Sequence, residues 1–184
     1  MQNAHITKKQ LGFTLAELLV SISIFIMITT IVLADFKSNS RSQQVKFNAQ
    51  DLSSVIRKAQ FMSQFGRTTE HNGNVVPIGG YGVYITQCAT PPCEYLIFAD
   101  YDGELDYDIG EEVAGETYTF PPTIIVPTVT QSPLSLVFKP PRPLVCVNQD
   151  CSKTNDAVIT IKQQSTTDTA IVSINPLSGK VSVE

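Results

Sequence analysis

The 184-residue sequence contains no tryptophan and only two histidines, and charged side chains make up just 16% of it. His5 stands near the amino terminus and His71 in a polar turn, so no histidine pair is available for a metal or for acid–base catalysis. No serine occupies a nucleophile elbow, and the glycines at 79, 80 and 82 lack the lysine of a phosphate loop. We therefore predict that the chain is not an enzyme.

The chain also lacks an excess of positive charge, with a formal net charge of −4. Removal of residues 1–12, which contain Lys8 and Lys9 and no acidic residue, would bring it to −6. An acidic chain attracts phosphate weakly, so nucleic acid is disfavoured as a partner. A local basic patch would favour it, and the candidate residues are Arg57, Lys58, Arg67, Lys139, Arg142, Lys153, Lys162 and Lys180.

One long segment lacks charge altogether, from Leu18 to Ala34. Counted from Phe13, the apolar segment has twenty-two residues, which as a helix would span about 33 Å and cross a hydrocarbon core. Glu17 is its single charged residue, and a carboxylate in lipid needs a partner or a function. A buried soluble helix, a cleaved secretory signal and a plain signal anchor are alternatives, although Leu33–Phe36 is a poor signal cleavage site. Lys8 and Lys9 fit a positive-inside orientation, which predicts that the amino end is cytoplasmic.

The residues around this boundary read KKQLGFTLAELLV, from Lys8 to Val20. This string resembles the processing site of type IV prepilins and type II secretion pseudopilins. The resemblance implies that a prepilin peptidase cuts between Gly12 and Phe13 and methylates the new amine of Phe13. It also implies that Glu17, the fifth mature residue, pairs with the terminal ammonium of a neighbouring subunit during assembly.

The same resemblance implies the partners and the location of the chain. The partners would be other pilin or pseudopilin subunits, the prepilin peptidase, an inner-membrane assembly platform and, before assembly, the lipid membrane. The chain would cross the bacterial inner membrane once, with its C-terminal domain outside the cytoplasm, and then join an extracytoplasmic filament. The alternative is a membrane- or filament-displayed binding module, such as an adhesin or a DNA-uptake receptor.

Beyond the membrane segment, apolar residues recur every three or four positions, which predicts that an amphipathic helix continues to about Phe65 and stops at Gly66. The expected fold is α+β and pilin-like, with this helix packed on a C-terminal antiparallel β domain. The predicted parts are a leader (1–12), a transmembrane segment (13–36), an amphipathic continuation (37–66) and the β domain (67–184). The predicted core positions are Val45, Ala49, Leu52, Val55 or Ile56, Ala59, Met62 and Phe65.

Short β-like runs separated by proline and glycine fill the remainder and predict a meander or two small sheets against the helix. They are Gly82–Thr86, Tyr95–Ala99, Thr117–Phe120, Thr123–Val129, Leu134–Phe138, Leu144–Val147, Ala157–Gln163, Ala170–Ile174 and Lys180–Val183. Residues 171–183 predict a closing hairpin. This ending resembles the C-terminal strands of the GspH/FimT group of minor pseudopilins.

Four cysteines form two pairs of equal spacing, Cys88 with Cys93 and Cys146 with Cys151. In an exported domain, this pattern favours two local disulfides. A four-thiolate zinc site is an alternative, although its usual spacing is two residues, and free or cross-paired thiols are another.

An acidic run from Asp100 to Glu112 places carboxylates at alternate positions, as a calcium-binding loop would. It is not an EF-hand, because its glycine stands at the fourth position and a strand precedes it where a helix would be needed. Some pseudopilins carry calcium in an acidic loop, and the alternative is a solvated acidic hairpin. The predicted calcium ligands are Asp100, Asp102, Glu104, Asp106 and Glu111.

Overall fold

The computed structural model describes residues 14–65, 69–71, 74–76, 79–140 and 144–184, with the backbone alone for 34–39, 69–71 and 74–76. Contacts within the chain separate it into two units, Met1–Ser40 and Arg41–Glu184. The elements in chain order are α1 (Leu15–Gln64), β1 (Thr69–His71), β2 (Asn74–Val76), β3 (Gly80–Ile85), β4 (Glu94–Asp100), β5 (Glu112–Thr119), β6 (Ile124–Val129), β7 (Leu134–Lys139), β8 (Leu144–Val147), β9 (Ala157–Gln163), β10 (Thr169–Ile174) and β11 (Val181–Val183).

The part of α1 in the second unit buries one apolar stripe. Leu52, Ile56 and Ala59 are completely buried, because residues spaced by three and four positions share one face of a helix. Val45, Ala49, Val55 and Met62 complete the stripe as predicted. The prediction was wrong for Phe65, which is 70% exposed. The helix ends at Gln64, and the Phe65 ring packs instead on the ring of Phe61 at a centroid distance of 4.2 Å.

Two antiparallel sheets form the β domain, which confirms the predicted α+β class with two sheets against a helix. The larger sheet has the strand order β5-β4-β3-β7-β8, and the smaller has the order β11-β10-β9-β6. Strand β9 alternates buried and half-buried residues, since successive side chains of a strand point to opposite faces. The closing hairpin is confirmed as β10–β11, with Ile174 opposite Val181. A separate hairpin pairs β1 with β2.

Adjacent residues of α1 bind the two sheets. Arg57 donates from Nη2 to the Val181 carbonyl of β11 at 3.1 Å. The Lys58 ammonium lies 2.7 Å from the Glu116 carboxylate of β5. The segment between β3 and β4 also joins the smaller sheet, because the backbones of Cys88 and Val126 of β6 exchange two hydrogen bonds of 2.9 Å. A single main core therefore lies between the helix and both sheets.

A second, smaller apolar cluster surrounds Phe98, Val137 and Cys146. Gly82 makes room for it, because a Cβ at this position would lie 2.5 Å from the Phe98 Cζ atom and 2.8 Å from the Leu136 carbonyl oxygen. Glycine is needed there for close packing.

All nine predicted runs are strands, with ends shifted by a few residues. The sequence did not predict β1, β2 or the first half of β5, and His71 ends β1 although a turn was expected there. In β5 a positive φ of 79° at Gly115 accompanies a register shift between Leu96 and Phe98 of the paired strand. This irregularity disrupts the alternation from which a strand is recognised.

Candidate functional site

The amino end of α1 is fixed by a reciprocal capping arrangement. Thr14 donates from its backbone N and from Oγ1 to the Glu17 Oε2 atom, both at 2.9 Å, and the Glu17 backbone N donates to Thr14 Oγ1 at 3.3 Å. A threonine followed three residues later by glutamate is a capping box, which stabilises the first turn of a helix. This role of Glu17 was not predicted, although the Thr14-x-x-Glu17 spacing signals it. Gly12 and Phe13, the predicted processing residues, lie outside the described residues.

The two hydrogen bonds that Thr14 donates to Glu17 both end on the Oε2 atom. No donor among the described residues reaches the Glu17 Oε1 atom. The carboxylate therefore has one oxygen engaged by its own helix and a second available to a further donor. Pairing with the ammonium of a neighbouring subunit stays a prediction, and this geometry leaves an acceptor for it.

Residues Leu15–Leu33 form a helical segment long and apolar enough to span a membrane. Its large side chains are exposed, as a lipid-facing segment requires, with Phe25 at 71% and Met27 at 69%. Its hydroxyl groups are satisfied inside the helix: Ser21, Ser23 and Thr29 each donate to the carbonyl four residues earlier, at 2.7–2.8 Å. Thr30 makes the same bond. Internal pairing of polar groups is what a hydrocarbon environment demands.

The acidic loop, residues 100–112, connects β4 to β5 in the second unit. Asp100 is completely buried at the end of β4, where it accepts the Gly103 N–H at 2.7 Å and the Leu105 N–H at 3.0 Å. Glu111 is 5% exposed and accepts the Tyr101 N–H at 2.8 Å and the Asp108 N–H at 3.0 Å. Two buried carboxylates thus organise the backbone of the loop from inside.

Burial raises the pKa of Asp100, because it disfavours the charged form, and hydrogen bonds from the backbone at Gly103 and Leu105 oppose the rise. Burial also raises the pKa of Glu111, opposed by the backbone N–H groups of Asp108 and Tyr101. The negative charge of Asp102 raises both values further. A bound cation would oppose each of these shifts, because an opposite charge favours the ionised carboxylate.

Oxygens of the loop converge in two overlapping groups, each with atoms within 4.8 Å of one another: Asp100, Asp102 and Glu111, and Asp102, Glu104 and Asp108. Four of the five predicted ligands are therefore brought together. Asp106 belongs to neither group, because its Oδ1 accepts the Tyr107 N–H at 2.9 Å and the hydroxyl of Ser135 on β7. Asp108 joins the cluster instead. Carboxylate oxygens at this density suit Ca²⁺, which takes six to eight oxygen ligands.

Alternate residues of the same loop cover the second apolar cluster. Leu105 and Tyr107 pack against it, and the Tyr107 ring lies 4.4 Å from that of Tyr84 and 5.5 Å from that of Phe98, between centroids. The Leu105 carbonyl accepts the Gln149 N–H at 3.3 Å. The residues between the alternating carboxylates therefore include apolar side chains, Leu105 and Tyr107, whose packing holds the loop on the larger sheet.

Both predicted disulfides are present, Cys88–Cys93 and Cys146–Cys151. No free cysteine occurs in the described chain, so the zinc and free-thiol alternatives are wrong. Cys146 lies in the second apolar cluster, against which Cys151 packs. Gln149, which binds the acidic loop, lies within the six-residue ring that this disulfide closes.

Two of the basic residues considered for nucleic-acid binding are engaged within the domain. Arg57 binds the Val181 carbonyl, and Lys58 binds both Glu116 oxygens at 2.7 Å. Arg67 and Arg142 lie outside the described residues. The engagement of Arg57 and Lys58 weakens the case for a DNA-binding surface on α1.

A comparison with protein families matches residues 7–33 to the prokaryotic N-terminal methylation motif. The match begins before Lys8 and ends at the last residue of the apolar helical segment. It supports a type IV pilin- or pseudopilin-like subunit that assembles with other pilin subunits and meets a prepilin peptidase. No curated protein and no solved structure matches the chain.

Proposed function

We propose that the chain is a structural subunit, a minor pseudopilin or pilin, of a type II secretion pseudopilus or a type IV pilus. The observation that carries the proposal is the coincidence of the methylation motif with the exposed apolar part of α1. The same helix supplies the buried stripe of the β domain. A methylated, lipid-compatible helix joined to a folded domain is what a membrane-stored filament subunit requires.

In this function each part of the chain has one task. Peptidase cleavage after Gly12 frees the Phe13 amine for methylation and leaves the apolar segment as the membrane anchor. The C-terminal domain stays outside the cytoplasm until the subunit is moved into the filament. There the Glu17 carboxylate accepts from the terminal ammonium of a neighbouring subunit and sets its register. The closing hairpin β10–β11 supports placing the subunit in the GspH/FimT group.

The proposal is tested by intact mass and amino-terminal sequencing of the protein from membranes of a host with a prepilin peptidase. We expect a mature chain that begins with N-methylated Phe13. A Gly12→Asp variant is the matched control, since it keeps the apolar segment and should remain uncut and membrane-bound. Any other mature start in the parent protein would exclude prepilin processing.

We also propose that the acidic loop binds calcium. Support comes from the two convergent groups of oxygens and from the burial of Asp100 and Glu111. Binding to the folded state alone stabilises it by about 2.7 kcal/mol when the ion is at 100 times its dissociation constant. In a domain of this size the melting temperature should rise by roughly 5–10 °C.

Thermal unfolding of the full chain in detergent, with calcium or with a chelator, measures this rise. Asp102 belongs to both oxygen groups, so Asp102→Asn should abolish it. Asp106→Asn is the matched control, because Asp106 lies in neither group and its variant should keep the calcium response. Identical melting curves for the parent chain in calcium and chelator would leave a solvated acidic hairpin.

A further inference from the structure

A groove of about 640 Å³ lies in the second unit between α1 and the end of β5. One wall is formed by helix residues 44–55 and the other by Tyr95 and residues 118–121. No residue of the acidic loop is among its described lining residues. Its volume lies in the range of ligand-binding clefts.

Four aromatic residues contribute to the lining of this groove. The Tyr95 ring stacks on Tyr118 at a centroid distance of 5.3 Å and meets Phe120 at 4.7 Å. Tyr95 and Phe120 are buried, so the ring surface open to a ligand belongs to the half-buried Tyr118 and to Phe47, which stands on the helix wall and is 62% exposed. The faces of aromatic rings carry partial negative charge, which attracts cations.

Asp51 is the single charged residue among the described residues that line the groove. It makes no hydrogen bond or ion pair with any residue that the structure describes, and no basic residue stands three or four positions away on its helix. The nearby Lys58 ammonium is already neutralised by Glu116 at 2.7 Å, while it donates to the Tyr118 hydroxyl at 3.3 Å. The groove therefore presents an unpaired negative charge beside aromatic faces.

The charge acts inside the groove as well as at its rim. Burial raises the pKa of Tyr95 to about 12, and the negative charge of Asp51 contributes to the rise. An anionic ligand would meet the same repulsion. A purely apolar ligand would shield the Asp51 carboxylate from water without giving it a counter-charge, which is unfavourable.

We propose that this groove binds a lysine or arginine side chain of a partner protein, with the cation beside the rings of Phe47 and Tyr118 and Asp51 as its counter-charge. A basic side chain is the group that satisfies both features at once, since its alkyl stem packs on rings while its head is ionic. The identification of this partner as a neighbouring filament subunit rests on the proposed function. The chemistry of the groove does not.

The groove is tested first with a small cation and its neutral isostere, choline and 3,3-dimethyl-1-butanol, titrated into the full chain in a nonionic detergent. Chemical shifts of the groove tyrosines report binding. We expect choline to shift them at millimolar concentration and the alcohol to bind at least threefold more weakly. Equal binding of the two probes, or shifts in neither, would overturn the proposal.

Variants then assign the effect to the groove. Asp51→Asn keeps the shape and removes the charge, and it should weaken choline binding about two- to fivefold. Phe47→Leu removes one exposed ring and should weaken it by a similar factor. Asp156→Asn is the matched control, because this carboxylate lies outside the groove and its variant should bind as the parent does. An unchanged affinity in Asp51→Asn would contradict the assigned counter-charge.

The partner is tested in assembled filaments with a photo-crosslinking phenylalanine at position 47. Mass spectrometry should identify the partner peptide that is linked to position 47. We expect the linked residue of that peptide to be a lysine or an arginine, or a direct neighbour of one. Crosslinks confined to peptides without a basic residue would overturn the proposal. If the protein fails to enter filaments but still prefers choline to the alcohol, the proposed function fails and the groove assignment stands.

Discussion

Replacement of Gly82 by alanine tests how the acidic loop is supported. The added Cβ would lie 2.5 Å from the Phe98 Cζ atom and 2.8 Å from the Leu136 carbonyl oxygen, both inside van der Waals contact. Phe98 is completely buried, and its ring contacts Tyr107 of the loop. The ring must move, and it can move only toward the loop or the neighbouring side chains of the second apolar cluster.

The magnitude follows from opposing terms. Overpacking a buried site destabilises by about 1–3 kcal/mol. Alanine in a strand recovers about 0.5–1 kcal/mol relative to glycine. The net loss should be about 1–2 kcal/mol, or roughly 2–8 °C in melting temperature for a domain of this size. Because the Phe98 ring packs against Tyr107 of the acidic loop, the rise in melting temperature on adding calcium should become smaller as well.

A double-mutant cycle tests the clash between the added methyl group and Phe98. Thermal unfolding gives the stability of four proteins: the parent chain, Gly82→Ala, Phe98→Leu and the double variant. Leucine shortens the side chain that the new methyl group meets, so the double variant should lose about 0.5–1.5 kcal/mol less than the sum of the single losses. The rescue should be partial, because the Leu136 carbonyl is backbone and cannot withdraw. Strict additivity would refute the assigned clash, and so would a Gly82→Ala protein as stable as the parent.

Two further predictions concern Glu17 and Tyr95. The variant Glu17→Gln keeps an oxygen that can accept hydrogen bonds from Thr14 but removes the charge. We therefore expect normal membrane insertion with poor filament incorporation, measured by fractionation and immunoblotting. Normal incorporation would leave Glu17 only its capping role. For Tyr95, tyrosine ring NMR should give a pKa of about 12 in the parent chain and a lower value in Asp51→Asn. The folded chain holds this proton more tightly than the unfolded chain, so the stability it contributes is complete below about pH 10 and is lost as the pH rises through 12.

Local patterns in the sequence were sufficient for most of the fold. The buried stripe of the helix and the nine strands were predicted from the spacing of apolar residues along the chain. That spacing directly determines which side chains share one face of a helix or strand. Phe65 was misplaced because the pattern was extended one residue beyond the end of the helix at Gln64. The first half of β5 was missed because Gly115 and a register shift interrupt its alternation.

In the acidic loop, the spacing of carboxylates along the chain did not fully predict which side chains converge in space. Alternate carboxylates predicted a common ligand set, yet Asp106 is captured by Ser135, which lies twenty-nine residues away in the sequence. The groove at Asp51 was likewise not predicted, since its walls come from α1, from β4 and from the end of β5, which are at least forty residues from the helix wall along the chain. Contacts of this range depend on the strand order β5-β4-β3-β7-β8, which no local pattern encodes.

The cap at the start of α1 alters how the membrane carboxylate should be understood. The sequence predicted that a carboxylate at Glu17 needs a partner or a function in lipid, and the prepilin resemblance implied that this partner is the ammonium of a neighbouring subunit. The structure supplies two donors from Thr14 to Oε2, so the carboxylate has partners within its own helix. Under the proposed function, a subunit could therefore be held in the membrane before it has a neighbour, and assembly would need only the Oε1 atom, which no described residue binds. Storage and assembly would then use different atoms of the same carboxylate, and a subunit would join a filament without breaking its own cap.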